Sequence, residues 1–416
     1  MQRGGAVAVV CQRMLSVAEA QARIIAALRP LPIESVGLDE ALGRVLAETV
    51  VSQRVLPPFD NSAMDGYAVR AGDVAGATDA TPVILPVSGE SRAGGSPDLS
   101  LPAGTAMLVM TGAPVPRGAD AVVRDEDTDR GREQVAVRVA ASPGTSMRYA
   151  GEDMAPGDEI LTAGRRLRAA DLAACAALGV ALLPVRRRPR VAVLSTGDEL
   201  VEAGEVPGPG QVADSNGPAL AAAIVEAGGI PVRMGIARDT AADVREHLLG
   251  AEGCDLIVSS AGVSVGDHDH VRDVVEALGS LDFWRVAMRP GKPLAVGEVR
   301  GVPFIGLPGN PVSSQVTFEL FTRPALLALQ GAAEIHRRRW PARVLDDMAK
   351  PDGLETYHRG VLVPDDGDGV PGVRLTGSQS SGVIRSLVLA DCLVVLPAAG
   401  SSVRAGSLVE VIPFGQ

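Results

Sequence analysis

The sequence predicts a multidomain chain of class α/β plus β, centred on an α/β unit whose parallel sheet carries helices on both faces. Three observations lead there. A length of 416 residues exceeds one compact core, since a domain holds roughly 100 to 200 residues. Between residues 190 and 330, apolar strand-like runs alternate with helical patterns, and continuously apolar strands belong to a sheet buried on both sides. On either side, at 83–139 and 341–416, the pattern turns to short β-runs punctuated by Gly and Pro, as in small β-sheets or barrels.

Taken in order, the first element is "SVAEAQARIIAAL", where Ser16 and Glu19 form a capping box ahead of a helix that Pro30 stops. "LDEALGRVLAE" reads as a second short helix, and the loop "PPFDNSAMDGYAV" (57–69) follows. Its Asp60 and Asp65 lie among apolar neighbours, so partners are expected for both carboxylates. A capped local turn, with Asp60 or Ser62 as the cap, is the plain alternative. Then come the β-runs "TPVILPVSG", "TAMLVMTG", "DAVVRDED" and "QVAVRVA", as in a small antiparallel barrel or sheet, before "GRRLRAADLAACAALGV" returns to helix.

From residue 190 the order is strand "RVAVLSTG", helix "NGPALAAAIVEAGG", strand "PVRMGIA", and helix "TAADVREHLLGA" with Thr240 as its N-cap. Strand "CDLIVSSAG" and helix "DHDHVRDVVEAL" come next, then "FWRVAM", "PLAVG", "VPFIGLPG" and the long helix "PVSSQVTFELFTRPALLALQG". After "HRRRW" the runs "ARVLDD", "HRGVLVP", "GVRLTG", "CLVVLPAAG" and "SLVEVIPF" read as a small β-barrel.

Composition narrows the function. Aromatics are only 3% and the net charge is -11, which excludes non-specific nucleic-acid binding but leaves room for an anion in a locally cationic cleft. Cys11, Cys175, Cys254 and Cys392 form no CxxC pair, so neither a zinc site nor a disulfide framework is indicated, and a reducing cytoplasm is the simplest compartment. No apolar run approaches the roughly 18 residues of a membrane span. The apolar part of "MQRGGAVAVVCQR" is too short for a signal peptide, and Met14 reads as an alternative start.

Ligands of an open parallel sheet sit beyond the carboxyl ends of its strands. Three such ends carry glycine-rich loops: "LSTGDEL" with Ser195, Thr196 and Gly197; "SSAGVSVGDHD" with Gly262, Ser264 and Gly266; and "GLPGNPVSS" with Pro308, Gly309 and Asn310. One such loop is an ordinary strand-to-helix turn, but three on one edge point to an anion. None is a P-loop or a dinucleotide fingerprint. The same edge carries Asp198, Glu199, Asp214, Asp239, Asp267 and Asp269. Carboxylates beside anion loops call for a hard cation such as Mg²⁺, although Asp239 and Asp267 also suit helix capping. In "FWRVAMRPGKP", Arg285 and Arg289 would face one side of an extended strand, with Lys292 close by, and paired guanidiniums fork onto an oxyanion. His268 and His270 read better as helix surface than as zinc ligands, and no Ser, Cys or Thr sits in a nucleophile setting.

"PPFDNSAMDGYAV", "TGAPVPRGADAVV", "AGEDMAPGDEIL", "LSTGDEL", "DSNGPAL", "SSAGVSVGDHDHV", "VAMRPGKP" and "GLPGNPVSS" stand in the order found in molybdopterin molybdenumtransferases, and the chain resembles that family over residues 15–415. The resemblance implies a four-part elongated subunit. A split N-terminal domain (15–52 and 140–180) holds an inserted β-domain (53–139), followed by a molybdopterin-binding α/β domain (186–332) and a C-terminal β-barrel (338–416). It also implies a cytoplasmic, magnesium-dependent homodimer that inserts molybdate into adenylylated molybdopterin and releases AMP. The adenylylating enzyme of the preceding step is a natural partner.

Carried over motif by motif, Asp60, Asp65, Thr111 and Asp153 should reach into the other subunit's cleft, and Glu199, Asp239 and Asp269 should line the α/β side. Glu199 and Asp269 are the implied metal contacts, and Arg285, Arg289 and Lys292 hold molybdate or phosphate. The pterin-binding set adds the glycine-loop residues above, Asp214, and Ser380 with Ser381 of "GSQSSG". Where this chain has Arg285 and Arg289, many relatives look like Lys, which keeps charge but not hydrogen-bond geometry. Two other readings compete: a molybdopterin adenylyltransferase, which the α/β part alone resembles, and a non-catalytic molybdopterin-binding scaffold.

Overall fold

Alternate residues of the central strands enter two different cores, which is why those strands read as unbroken apolar runs. The computed structural model describes residues 14–261, 270–365, 367 and 369–415. Strands Arg190–Thr196, Ile230–Ala237, Leu256–Ser260 and Val302–Leu307 pair in parallel. Val191, Val193, Leu256, Val258 and Ile305 face a cluster covered by helices Val17–Ala26 and Asn216–Glu226. Ala192, Leu194, Ile257 and Phe304 face another, covered by Ala241–Leu249 and His270–Leu278. Strands Pro293–Val299 and Gly279–Arg285 extend the sheet antiparallel at one edge, so the sheet is parallel through four strands and mixed overall.

Local chemistry sets the helix ends. Ser16 Oγ accepts from the Glu19 N–H at 3.1 Å while Glu19 Oε2 accepts from the Ser16 N–H at 2.8 Å, the expected box. Thr240 Oγ1 accepts from the Asp243 N–H at 3.3 Å. Three expectations change. The second helix is one turn, Leu38–Ala41, because Gly43 takes φ +73° and the chain leaves for the β-bridges of Val45 and Leu46. The long helix is interrupted: Pro311–Thr317 passes through the π-turn Phe318–Thr322 into Arg323–Leu329. Pro324 lacks an N–H, which orphans the Leu320 carbonyl, and Gln21 Nε2 donates to that carbonyl at 2.8 Å. Finally, part of the 57–69 loop is a strand, Gly66–Val69.

That strand lies within a five-stranded sheet with Ala121–Arg124, Ala106–Val109, Val83–Ser91 and Gln134–Val137. The sheet is mixed rather than antiparallel, since Val83–Ser91 and Ala106–Val109 run parallel. A Cβ on Gly66 would lie 2.0 Å from the Val123 carbonyl oxygen, so only glycine permits this pairing. Tyr67, Val69, Leu108, Val123 and Val135 form its separate core. The strip is held at a neck where Leu56 bridges Met154 and the Gly151 N–H donates to the Pro57 carbonyl. Among the described residues, no hydrogen bond or ion pair joins 57–148 to 186–332. A further core of Val36, Leu46, Leu167 and Leu183 lies under the pairing of Ile33–Gly37 with Leu182–Arg186.

At the C-terminal end, Trp340–Val344, Glu355–Val363, Gly372–Leu375, Cys392–Leu396 and Leu408–Pro413 close into a barrel. Its edge receives a graft from the α/β part: Met288–Arg289 pairs in parallel with Glu355–Thr356.

Candidate active site

The carboxyl edge of the central sheet is fastened by one buried polar network. Ser195 Oγ donates to Asp214 Oδ2 at 2.8 Å, and Asp214 Oδ1 accepts from the Asn216 and Gly217 N–H groups at 3.0 Å each. Asp214 therefore caps helix Asn216–Glu226 with its carboxylate at the positive end of the helix dipole. Asn216 Nδ2 in turn donates to Ser260 Oγ and to the Gly309 carbonyl, each at 2.7 Å. One asparagine thus ties all three strand ends together, fixing the loops of Ser195, Thr196 and Gly197 relative to Pro308, Gly309 and Asn310. A buried network with every member paired gives a rigid edge.

Around this edge stand the acids. Glu199 is exposed, with its carboxylate folded back over Gly197. Asp198 accepts from the Asp239 N–H at 3.1 Å, which brings the turns after two neighbouring strands together. Neither the Asp198 nor the Glu199 carboxylate forms an ion pair among the described residues, although Arg238 Nη1 donates to the Asp198 carbonyl at 3.4 Å. An oxygen-only donor set of this kind suits a hard cation that keeps waters and phosphate ligands. Gly262, Ser264, Gly266 and Asp269, with Asp267 and His268, lie outside the described residues, and among those described no group of three metal-ligating side chains occurs.

The cationic segment is arranged differently from a single strand. Gly279–Arg285 ends at Arg285, and Arg289 belongs to the short strand grafted onto the barrel. The two arginines are therefore not on one strand face. Arg285 lines a separate cavity of about 320 Å³ with Trp284 and Arg23, whereas the Arg289 charge acts with that of Arg359 on His358, whose pKa is lowered first by burial and then by these two charges against the hydrogen bond to the Ala349 carbonyl. Gly291, at φ +91°, approaches so closely that a Cβ would meet Thr317 Cγ2 at 2.3 Å, which seats the Lys292 loop against helix Pro311–Thr317. Among the described residues, Arg285, Arg289 and Lys292 have no carboxylate partner.

Sequence reasoning missed Arg359. It is wholly buried in strand Glu355–Val363. Nε donates to Ser386 Oγ at 3.1 Å and Nη2 to the Ser380 carbonyl at 3.2 Å, while Nη1 has no partner among the described residues. Burial lowers its pKa to about 10, so the guanidinium stays charged at neutral pH. Ser381 next door accepts from the Val312 N–H at 3.1 Å, which docks the Ser380 loop on the first turn of helix Pro311–Thr317. The signal available in "ETYHRGVLV" was an arginine where the strand pattern asks for an apolar residue.

The remaining candidates lie elsewhere in the chain. Asp65 Oδ1 accepts from the Thr111 N–H at 2.6 Å and the Thr111 hydroxyl at 2.8 Å, and the Thr111 N–H, then its hydroxyl, holds the Asp65 carboxyl below its usual range. Asp60 Oδ1 accepts from the Ala150 N–H at 2.8 Å, and the Asp153 N–H donates to the Leu56 carbonyl at 3.0 Å. Asp60, Asp65 and Asp153 are exposed, not buried among apolar neighbours. They gather near the neck and outer sheet, apart from the central edge.

The comparisons with known proteins agree along the chain. Residues 15–179 match the "MoeA N-terminal region (domain I and II)", 192–328 the "Probable molybdopterin binding domain", and 341–414 the "MoeA C-terminal region (domain IV)". The chain is 42% identical to molybdopterin molybdenumtransferase 2 of Mycobacterium tuberculosis H37Rv, over 96% of this chain and 99% of that protein. It is 34% identical to the molybdopterin molybdenumtransferase of Haemophilus influenzae, over 96% and 99%. The solved molybdopterin biosynthesis moeA protein of Pyrococcus horikoshii OT3 superposes with a TM-score of 0.82 at 28% identity, covering 97% of this chain and 100% of that one.

Proposed function

From its membership of the molybdopterin molybdenumtransferase family, to which this chain belongs, we propose that it acts as the transferase of molybdenum cofactor biosynthesis that inserts molybdate into adenylylated molybdopterin and releases AMP. The observation that carries the reading is that, in a chain of net charge -11, Arg289, Lys292 and buried Arg359 have no carboxylate partner among the described residues, while Arg289 and Arg359 both act on His358 and the Lys292 loop and the Ser381 carbonyl both meet helix Pro311–Thr317. Such an uncompensated cationic cluster suits a tetrahedral dianion. The rival adenylyltransferase reading accounts only for 192–328 and leaves the cluster's barrel half unused.

In this scheme Arg289, Lys292 and Arg359 hold molybdate, with the Ser380 loop closing over it. The loops of Ser195, Thr196, Gly197, Pro308, Gly309 and Asn310 take the pterin phosphate on backbone N–H groups. Glu199, with Asp269, would hold Mg²⁺, which neutralises the phosphoanhydride when bound. Asp214 acts beneath the surface as the anchor of these loops, while Asp239 orders the acidic turn through Asp198. No protein nucleophile is needed, because positioning and charge stabilisation carry the step. Asp60, Asp65, Thr111 and Asp153 are offered to the cleft of a second copy, and the protein works as a homodimer in the cytoplasm. Their distance in sequence and bonding from the central edge supports that reading.

Purified protein given adenylylated molybdopterin, Mg²⁺ and molybdate is expected to release AMP only when molybdate is present. AMP release without molybdate, or none with it, overturns the reaction. Mixing inactive Asp65→Asn and Glu199→Gln subunits tests the shared cleft. Random pairing of independent sites restores about a quarter of wild-type activity, and no recovery overturns the two-subunit cleft while leaving the reaction itself standing.

A further inference from the structure

A cavity of about 580 Å³ opens where the turn 162–168 meets helix Arg323–Leu329 and the segment 332–340. It shares no lining residue with the sheet-edge cleft. In a chain of net charge -11 it gathers six arginines around one hollow. The charges there do not cancel. Arg323 and Arg337, with side chains 13% and 12% exposed, share a single carboxylate, Glu319, at 3.7 and 2.6 Å. Arg166 donates to the carbonyls of Gly43 at 3.2 Å and Glu226 at 2.9 Å and, among the described residues, to no carboxylate. Among the described residues, the ion pairs of these three guanidiniums reach one carboxylate, Glu319, a surplus of two positive charges. Farther out, Asp171 serves both Arg165 and Arg168, and Glu334 serves Arg338.

Burial and neighbouring positive charge both weigh on these side chains. Burial, then the Arg337 charge, makes Arg166 easier to deprotonate. Burial acts likewise on Arg323, with Glu319 opposing and Arg337 and Arg166 adding to it. Burial, then Arg339 and Arg323, keeps His336 neutral. Gathering like charges without a counter-ion is costly unless an anion joins them. Besides Thr162, His336 and Glu334, the rest of the wall is apolar and includes Leu327, Pro413 and the half-exposed face of Trp340.

We propose that this cavity is a second anion site that takes a phosphate monoester, its dianionic head between Arg166, Arg323 and Arg337 and its body against Trp340. Two charges match the uncompensated pair, and the guanidinium fork suits phosphate oxygens.

The chain has two tryptophans, so in a Trp284→Phe background Trp340 alone reports the cavity by fluorescence. AMP at millimolar concentration is expected to give a saturable change that inorganic phosphate displaces and adenosine does not produce. Ribose 5-phosphate separates a sugar phosphate from a nucleotide, and the tighter of the two names the ligand class. Arg166→Gln should raise the midpoint about tenfold, and Arg166→Lys, which keeps the charge if the first variant folds poorly, should raise it less. Molybdate-dependent AMP release should persist in both. No signal with any phosphate ester, or a midpoint that neither Arg166 variant moves, overturns the site.

Discussion

Asp65 shows how an exposed carboxylate can tie two segments of the outer sheet together. Its carboxylate stitches the strand Gly66–Val69 to Thr111, and those bonds hold its pKa below the ordinary 3.8. A depressed carboxylate stabilises the fold above its unfolded pKa and loses that contribution as pH falls through the folded value. Asp65→Asn should therefore narrow the gap in melting temperature between pH 6 and pH 3 relative to wild type, by an amount kept small by exposure. An unchanged gap would mean the Thr111 bonds carry no weight in solution. Arg359 makes the opposite case, a buried charge with little to gain from the fold. Arg359→Met should leave the melting temperature equal or higher, since an apolar replacement relieves a desolvated charge, while the molybdate concentration for half-maximal turnover rises about tenfold. A large fall in melting temperature with unchanged molybdate dependence would make Arg359 structural. The turns at 195–199 and 308–310 could be placed at strand ends from the sequence because the apolar runs before them fix where those strands stop. Arg359 and Asn216 could not, because their roles come from side chains of distant segments that only the folded chain brings near.

At the level of elements, patterns that obey one local rule came through and those that balance two did not. The capping box of Ser16 and Glu19 and the cap of Thr240 are local, and both are present. The helix from Pro311 onward looked continuous because its apolar period never breaks; the π-turn Phe318–Thr322 precedes Pro324, whose missing N–H removes one bond from the regular ladder. Strand Gly66–Val69 was hidden because glycine and aspartate at its start resemble a loop, whereas Gly66 is there for a close backbone approach. The π-turn makes a sharp prediction. Gln21→Leu leaves the Leu320 carbonyl without its donor and should cost about 1 to 2 kcal/mol in urea unfolding. In a Pro324→Ala background the restored N–H can take over, so the same change should cost less than half as much. Equal costs in both backgrounds would refute the compensation.

For the whole molecule, the distribution of cores decides how it comes apart. One cluster runs from Val17 and Ile24 through Val193 and Leu307 to Tyr357 and Ile412, so the first helix, the central sheet and the barrel share apolar burial and should unfold together. The outer sheet keeps its own core around Tyr67 and Val123. Calorimetry should resolve two transitions, with the smaller lost when residues 57–148 are deleted. A single transition that survives the deletion in shape would contradict this division. The alternation of strands and helices announced the central sheet, while the grafting of Met288–Arg289 onto the barrel joins segments too far apart for any periodicity to register. The neck at Leu56 and Met154 carries one more implication. Because the two chain crossings already run antiparallel there, a tight hairpin linker can replace everything beyond them. Under the two-subunit cleft proposed above, such a shortened protein would be a receiver without a donor: mixed with full-length copies, it would accept an arm but never lend one, so that the two halves of the pair could be timed separately.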